Sequence, residues 1–112
     1  IAVIQPHRYS RVKDLFSEFV DSAFKADIAI YTQIYEAGEK PIEGIDSASL
    51  VKAVNDKGHQ QVMLTENPEQ LAKQIDSHAS AGDIVVCLGA GNITSWANNL
   101  ASQIQEISFA EA

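Results

Sequence analysis

The chain has 112 residues and a formal charge of -7, with 46% hydrophobic and 21% charged residues. That length suits one domain with a buried core, and the composition excludes a disordered chain. Its six lysines are scattered and no apolar run approaches the ~20 residues needed to span a bilayer, so neither nucleic acid nor a membrane is an expected partner.

Residues 1–5 form an apolar, partly β-branched run closed by Pro6, which predicts a first strand. Val12, Leu15, Phe16, Phe19, Val20 and Ala23 recur at helical spacing and predict one amphipathic helix over about 10–25. Residues 27–34, around Ile28-Ala29-Ile30-Tyr31, predict a second strand. The next segment, 35–44, is rich in Gly, Pro and charge; it is a long loop for a strand-to-helix link, which suggests a function. Asp46 is an expected N-cap for a helix through Leu50, Val51 and Val54, stopped by Gly58.

Residues 61–65 predict a third, weaker strand. Asn67, Pro68 and Gln70 read as N-cap, first-turn proline and capping-box glutamine of a helix carrying Leu71 and Ile75. Residues 83–88 predict a fourth strand, apolar as a strand covered on both faces should be. Ile93, Trp96, Ala97, Leu100, Ile104 and Ile107 predict the buried stripe of a last helix. Strict alternation of strands and helices implies an α/β fold: a Rossmann-like, mostly parallel sheet with helices on both faces, in a single domain over 1–112. The fold class alone leaves function open. Because the chain opens at Ile1 directly on a core strand, an internal piece of a longer polypeptide is expected.

Ligands of such sheets bind beyond the carboxyl ends of the strands. Segments 5–11, 35–44 and 88–92 fall there. The first holds Arg8 and Arg11, both arginines of the chain, at a predicted helix start where the macrodipole disfavours cations by about 0.3–1 kcal/mol. An anion held between the two planar guanidinium groups would explain the placement. Pairing with Asp14, Glu18 or a loop carboxylate in a surface network is the alternative. His7 is open to three readings: ligand contact, acid/base or cap.

Gly89-Ala90-Gly91-Asn92 falls short of a dinucleotide fingerprint, yet it would present backbone N–H groups at a helix start; a plain tight turn capped by Asn92 is the other reading. Glu36, Glu39 and Glu43 read as a solvated loop face. His59 and His78 read as surface residues, and no metal site is expected. Cys87, the single cysteine, reads as a buried structural thiol, and with no signal peptide or lipidation motif the expected compartment is the cytoplasm. No phosphate-loop motif occurs, so no ATP site is expected in this chain by itself.

Taken together, three segments resemble a known family. Gln5-Pro6-His7-Arg8-Tyr9-Ser10-Arg11 with Asp14-Leu15-Phe16 and Phe19 is similar to the "QPHRYSR…DLF..F" stretch of the muramate–alanine ligase branch of the Mur ligases. Tyr35 to Ile42 resembles its "Y-A-A-G-E-x-P-I", with Glu36 in place of the usual alanine. Gly82-Asp83 and Leu88 to Ile93 resemble its closing "G-D…GAGNI". The murein-tripeptide ligase branch has an "EPRSNT"-like stretch where this chain has residues 6–11.

The resemblance implies the carboxy-terminal domain of a three-domain ligase. Its missing amino-terminal domain would bind UDP-N-acetylmuramate, and its missing central domain would hold ATP and Mg2+. The carboxy-terminal domain would close over the site and position L-alanine. Carried over residue by residue, His7, Arg8 and Arg11 would line the alanine and acyl-phosphate side, with Tyr35 and the turn Gly89, Ala90, Gly91, Asn92 as neighbouring walls. No catalytic base or nucleophile is expected in this chain. A free-standing α/β module binding a small anionic metabolite or a protein partner is the competing reading. The family domain usually has a further strand and helix before the position of Ile1, and without them an exposed sheet edge is one expectation.

Overall fold

The computed structural model describes residues 1–111, with side chains through residue 107. Its elements are β1 (Ala2–Ile4), α1 (Tyr9–Asp14), α2 (Phe16–Ala23), β2 (Ala29–Tyr31), α3 (Ser47–Asp56), β3 (Val62–Leu64), α4 (Pro68–His78), β4 (Val86–Leu88) and α5 (Ile93–Glu111). The four strands form one sheet in the order β3-β2-β1-β4, every pairing parallel. Each strand is shorter than its apolar run predicts, because the flanking residues leave the ladder before their hydrophobicity ends. The order reverses direction at β1: the chain steps outward through β2 and β3, then returns to the other side of β1.

Helices cover both faces, as expected. Ile4, Val12, Val20, Ala29, Tyr31, Leu50 and Val54 pack in one core between the sheet and α1, α2 and α3. Val3, Ile30, Leu71, Ile75, Ile93 and Leu100 form the other, under α4 and α5. Alternate β1 residues therefore serve opposite cores, as the two-residue strand period requires. Asp46 accepts from the Ser49 N–H at 2.8 Å, and Asn67 from the Gln70 N–H at 2.8 Å, so both expected N-caps form. Gln70 returns its side-chain oxygen to the Glu66 N–H, one residue before the cap position the capping box uses.

Three expectations need correcting. The helix predicted over 10–25 is two helices joined at Leu15, whose φ of -117° and ψ of 28° are not helical. The pieces have different anchors: α1 is tied to the sheet rim, and α2 to its middle, where the Tyr31 hydroxyl donates to the Phe19 carbonyl at 2.7 Å. The break turns Leu15 outward to 37% exposure while Val12, Val20 and Ala23 stay buried.

Strand β4 is also not covered on both faces. Val85 and Cys87 pack toward α5, but Ile84, Val86 and Leu88 on the opposite face are 74%, 46% and 48% exposed. The physical reason is the order of the sheet: the β1-to-β2 and β2-to-β3 crossovers carry α1, α2 and α3 away from β4. In α5, Ala97 faces outward and leaves the predicted stripe.

Burial pushes the Tyr31 phenol up to about 12, against a weaker opposing bond from Ser22. The buried neutral phenol thus favours the folded state below its ordinary value near 10, and that contribution is lost as pH rises from there through about 12. Tyr31→Phe removes one donor from the Phe19 carbonyl, which keeps the Ser22 hydroxyl, and is expected to cost about 0.5–1.5 kcal/mol. Denaturant melts at pH 8 and pH 11 check this: the variant should be less stable at pH 8 and lose less between the two.

Candidate functional site

The carboxyl end of β1 sits at the reversal of strand order, and three turns meet there. After β1 and β2 part, the chains rejoin as a single parallel bridge between His7 and Tyr35. Tyr35 N–H donates to the Pro6 carbonyl and Arg8 N–H to the Tyr35 carbonyl, both at 2.8 Å. This late rejoining stacks the His7 and Tyr35 rings, with centroids 5.5 Å apart and planes 14° from parallel. Two backbone bonds therefore bring the two residues side by side at the rim.

The third turn, between β4 and α5, is held by Gln5, which is 6% exposed. Its amide nitrogen donates to the Asn92 side-chain oxygen at 2.5 Å, and its own oxygen accepts from the Ile93 N–H at 3.3 Å. The first turn of α5 is thus capped from β1, not by Asn92, whose side chain is engaged in the opposite direction. A Cβ at Gly91 would lie 2.5 Å from Tyr35 Cγ and 2.8 Å from Gln5 Oε1. One at Gly89 would meet Gln5 Cβ and Ile93 Cγ2 at 2.9 Å. Both glycines are there for close approach. Ala90 stands exposed at the tip of the turn.

Beside these turns lies an open cleft of about 520 Å³, bordered by Gln5, Tyr9, Thr32, Tyr35, Glu36, Glu66, Asn92 and Trp96. Tyr35 and Asn92 border it as expected of rim residues. Sequence patterning places Gln5 both at the end of a strand and at the start of rim segment 5–11, puts Trp96 within a core stripe, and gives no role to Thr32 or Glu66. Only the side-by-side arrangement of the strand ends joins them.

Arg8 and Arg11 open instead onto an adjoining depression of about 400 Å³ with Ser10, Asp14 and Leu15. Both are exposed, and among the described residues the ion pairs are Lys52–Asp56 and Lys57–Asp21, with neither arginine in one. The surface network with Asp14 or Glu18 does not form. The helix dipole, however, disfavours one arginine only. Arg8 is the N-cap of α1, but the break at Leu15 leaves Arg11 in the last turn of a six-residue helix, where a cation is favoured.

Arg8 has φ 68° and ψ 134°, a region costly for a residue with a side chain, on the order of 1–3 kcal/mol. Glu39, expected to be solvated, accepts from the Ser10 N–H at 3.1 Å and the Ser10 hydroxyl at 2.5 Å. Those bonds, with a smaller contribution from the Arg8 charge, hold its carboxyl below the ordinary range. Cys87 is half-buried, and burial raises its thiol, as for a structural cysteine. His59 bridges Ala26 O and the Gln61 N–H, so it ties two loops together and is more than a surface residue.

Parallel strands that reverse order at β1, with turns from three chain segments gathered over the reversal, define a doubly wound α/β domain, a class whose ligands bind at such a reversal. Sequence comparison carries this further: residues 1–91 match the Mur ligase, glutamate ligase domain, and the chain belongs to the Mur ligase family. It is 52% identical over 104 residues to the UDP-N-acetylmuramate–L-alanine ligase of Paramagnetospirillum magneticum, an overlap of 93% of this chain and 22% of that protein. For the ligase of the same name from Parvibaculum lavamentivorans the figures are 50% over 107 residues, 96% and 22%. For that of Novosphingobium aromaticivorans they are 47% over 104 residues, 93% and 22%. The chain thus spans 22% of the length of these curated relatives.

Gly91→Ala tests the packing of the rim. The added methyl should force the Tyr35 ring off its seat, breaking the stack with His7, and cost about 1–3 kcal/mol as overpacking. Thermal unfolding and the ring proton shifts of His7 and Tyr35 report both effects; unchanged values for both would refute the packing.

Proposed function

We propose that residues 1–112 are the carboxy-terminal domain of a longer, three-domain UDP-N-acetylmuramate–L-alanine ligase of the cytoplasm. ATP would activate the UDP-N-acetylmuramate carboxylate as an acyl phosphate, and the amine of L-alanine would attack it to give the amide, ADP and phosphate. ATP and Mg2+ belong to the central domain in this reading, where the ion would offset phosphate charge. Among the described residues no three His, Cys, Asp or Glu side chains gather where they could hold a metal ion, and no helix is long and apolar enough to cross a membrane.

The observation that carries the reading is that Arg8, bonded to Tyr35 of the ring stack, and Arg11, in the same depression as Arg8, are both exposed with no carboxylate partner among the described residues. Two guanidinium forks in that state suit a carboxylate or phosphoryl oxygen delivered by the rest of the enzyme. His7 and Tyr35 would form one wall beside the alanine, and the turn Gly89, Ala90, Gly91, Asn92 another. The contribution of this domain is positioning and stabilisation of developing charge, completed when the domains close.

Full-length protein carrying Arg8→Ala or Arg11→Ala should lose turnover, or need more alanine, by about tenfold or more, on the order of 1.4 kcal/mol. The isolated chain should neither hydrolyse ATP nor form the amide. Steady-state kinetics on both variants decides the matter: wild-type constants in both would remove Arg8 and Arg11 from the site.

A further inference from the structure

The segment from residue 35 to residue 44 touches more than the cleft. Ala37 and Gly38 follow one another with φ of 51° and 84°, and the Glu39 N–H closes a turn onto the Glu36 carbonyl at 3.0 Å. Two consecutive left-handed residues reverse the chain sharply, so Glu39 points back at the start of α1 instead of into solvent. There one oxygen takes the Ser10 N–H and the other the Ser10 hydroxyl.

Ser10 is two residues from Arg8, whose backbone is held in a conformation that L-residues avoid. Such a conformation persists only where its surroundings over-determine it. On one side of Arg8 the Tyr35 bridge does so, through the bond from Arg8 N–H to the Tyr35 carbonyl. On the other side, the contact across 29 residues from Ser10 to Glu39 fixes the first turn of α1. Both restraints come from the same loop.

We infer that Glu39 is a positioning residue: by gripping Ser10 it holds the Arg8 backbone, and with it the Arg8 guanidinium, in the orientation that receives the anionic substrate group. The inference rests on the function proposed above for Arg8 and Arg11. A carboxylate suits the task because it accepts two bonds at once and its charge faces Arg8 without closing an ion pair. The guanidinium stays available.

The test is a double-mutant cycle in the full-length protein, with Glu39→Ala and Arg8→Ala made singly and together. Glu39→Ala should lower kcat/KM for L-alanine by about five- to tenfold, mainly through KM, with the KM for ATP unchanged. Added to Arg8→Ala it should cost little more, because both act through one guanidinium. Should Glu39→Ala not accumulate as folded protein, Ser10→Ala removes the shorter bond with less disturbance and is read the same way.

Wild-type kinetics in Glu39→Ala, or a loss fully additive to that of Arg8→Ala, would overturn the positioning role while leaving the arginines in place. Wild-type kinetics in Arg8→Ala and Arg11→Ala would overturn both readings.

Discussion

A single buried side-chain amide sets the geometry of the rim. Gln5 directly follows β1, the strand at which the sheet reverses, and its nitrogen and oxygen grip the β4–α5 turn at two successive residues. Buried amides must be satisfied on both ends, and unsatisfied ones cost on the order of 1–3 kcal/mol each. Satisfying this one draws the glycine turn against β1 so closely that Tyr35 fills the space a side chain at Gly91 would need. Tyr35 in turn carries His7 by stacking and Arg8 by a backbone bond. The residues brought together by the amide come from three distant parts of the chain, and none reaches the rim through local structure alone.

The helix dipole does not act alike on the two arginines. Repulsion by a helix dipole applies to Arg8 but not to Arg11, because the helix stops after six residues. What remains is the absence of carboxylate partners for either guanidinium among the described residues, together with the strained backbone at Arg8. Strained backbones of this kind cluster at ligand sites, in keeping with the role proposed for Arg8. Glu39 then lies near Arg8 without closing an ion pair, and its acidity reflects bonds to Ser10 more than attraction to Arg8.

The two faces of the sheet differ in how fully they are covered. Beneath α4 and α5 the core runs across all four strands to Val85 and Cys87. On the opposite face it stops short, leaving Ile84, Val86 and Leu88 open along the free edge of β4. An apolar strand so placed is prone to pair with other chains. The order of the strands accounts for the gap: the helices of the steps from β1 to β3 pack over the strands they join, and β4 lies on the other side of β1.

Much of the architecture was legible in the sequence. Period and punctuation determined the order of elements, the parallel sheet, both N-caps from Asp46 and Asn67, and the three rim segments, because these follow from local spacing and backbone chemistry. Motif likeness in those segments pointed to the Mur ligases. Tertiary structure alone decided that the first helix breaks at Leu15, that β4 is bare on one face, that Gln5 caps α5, and that Glu39 binds Ser10. Each of these depends on contacts between residues far apart in the chain, 29 positions for Glu39 and 87 for Gln5 with Asn92. A local pattern carries no record of such distances, whereas the packed rim of the folded sheet imposes them.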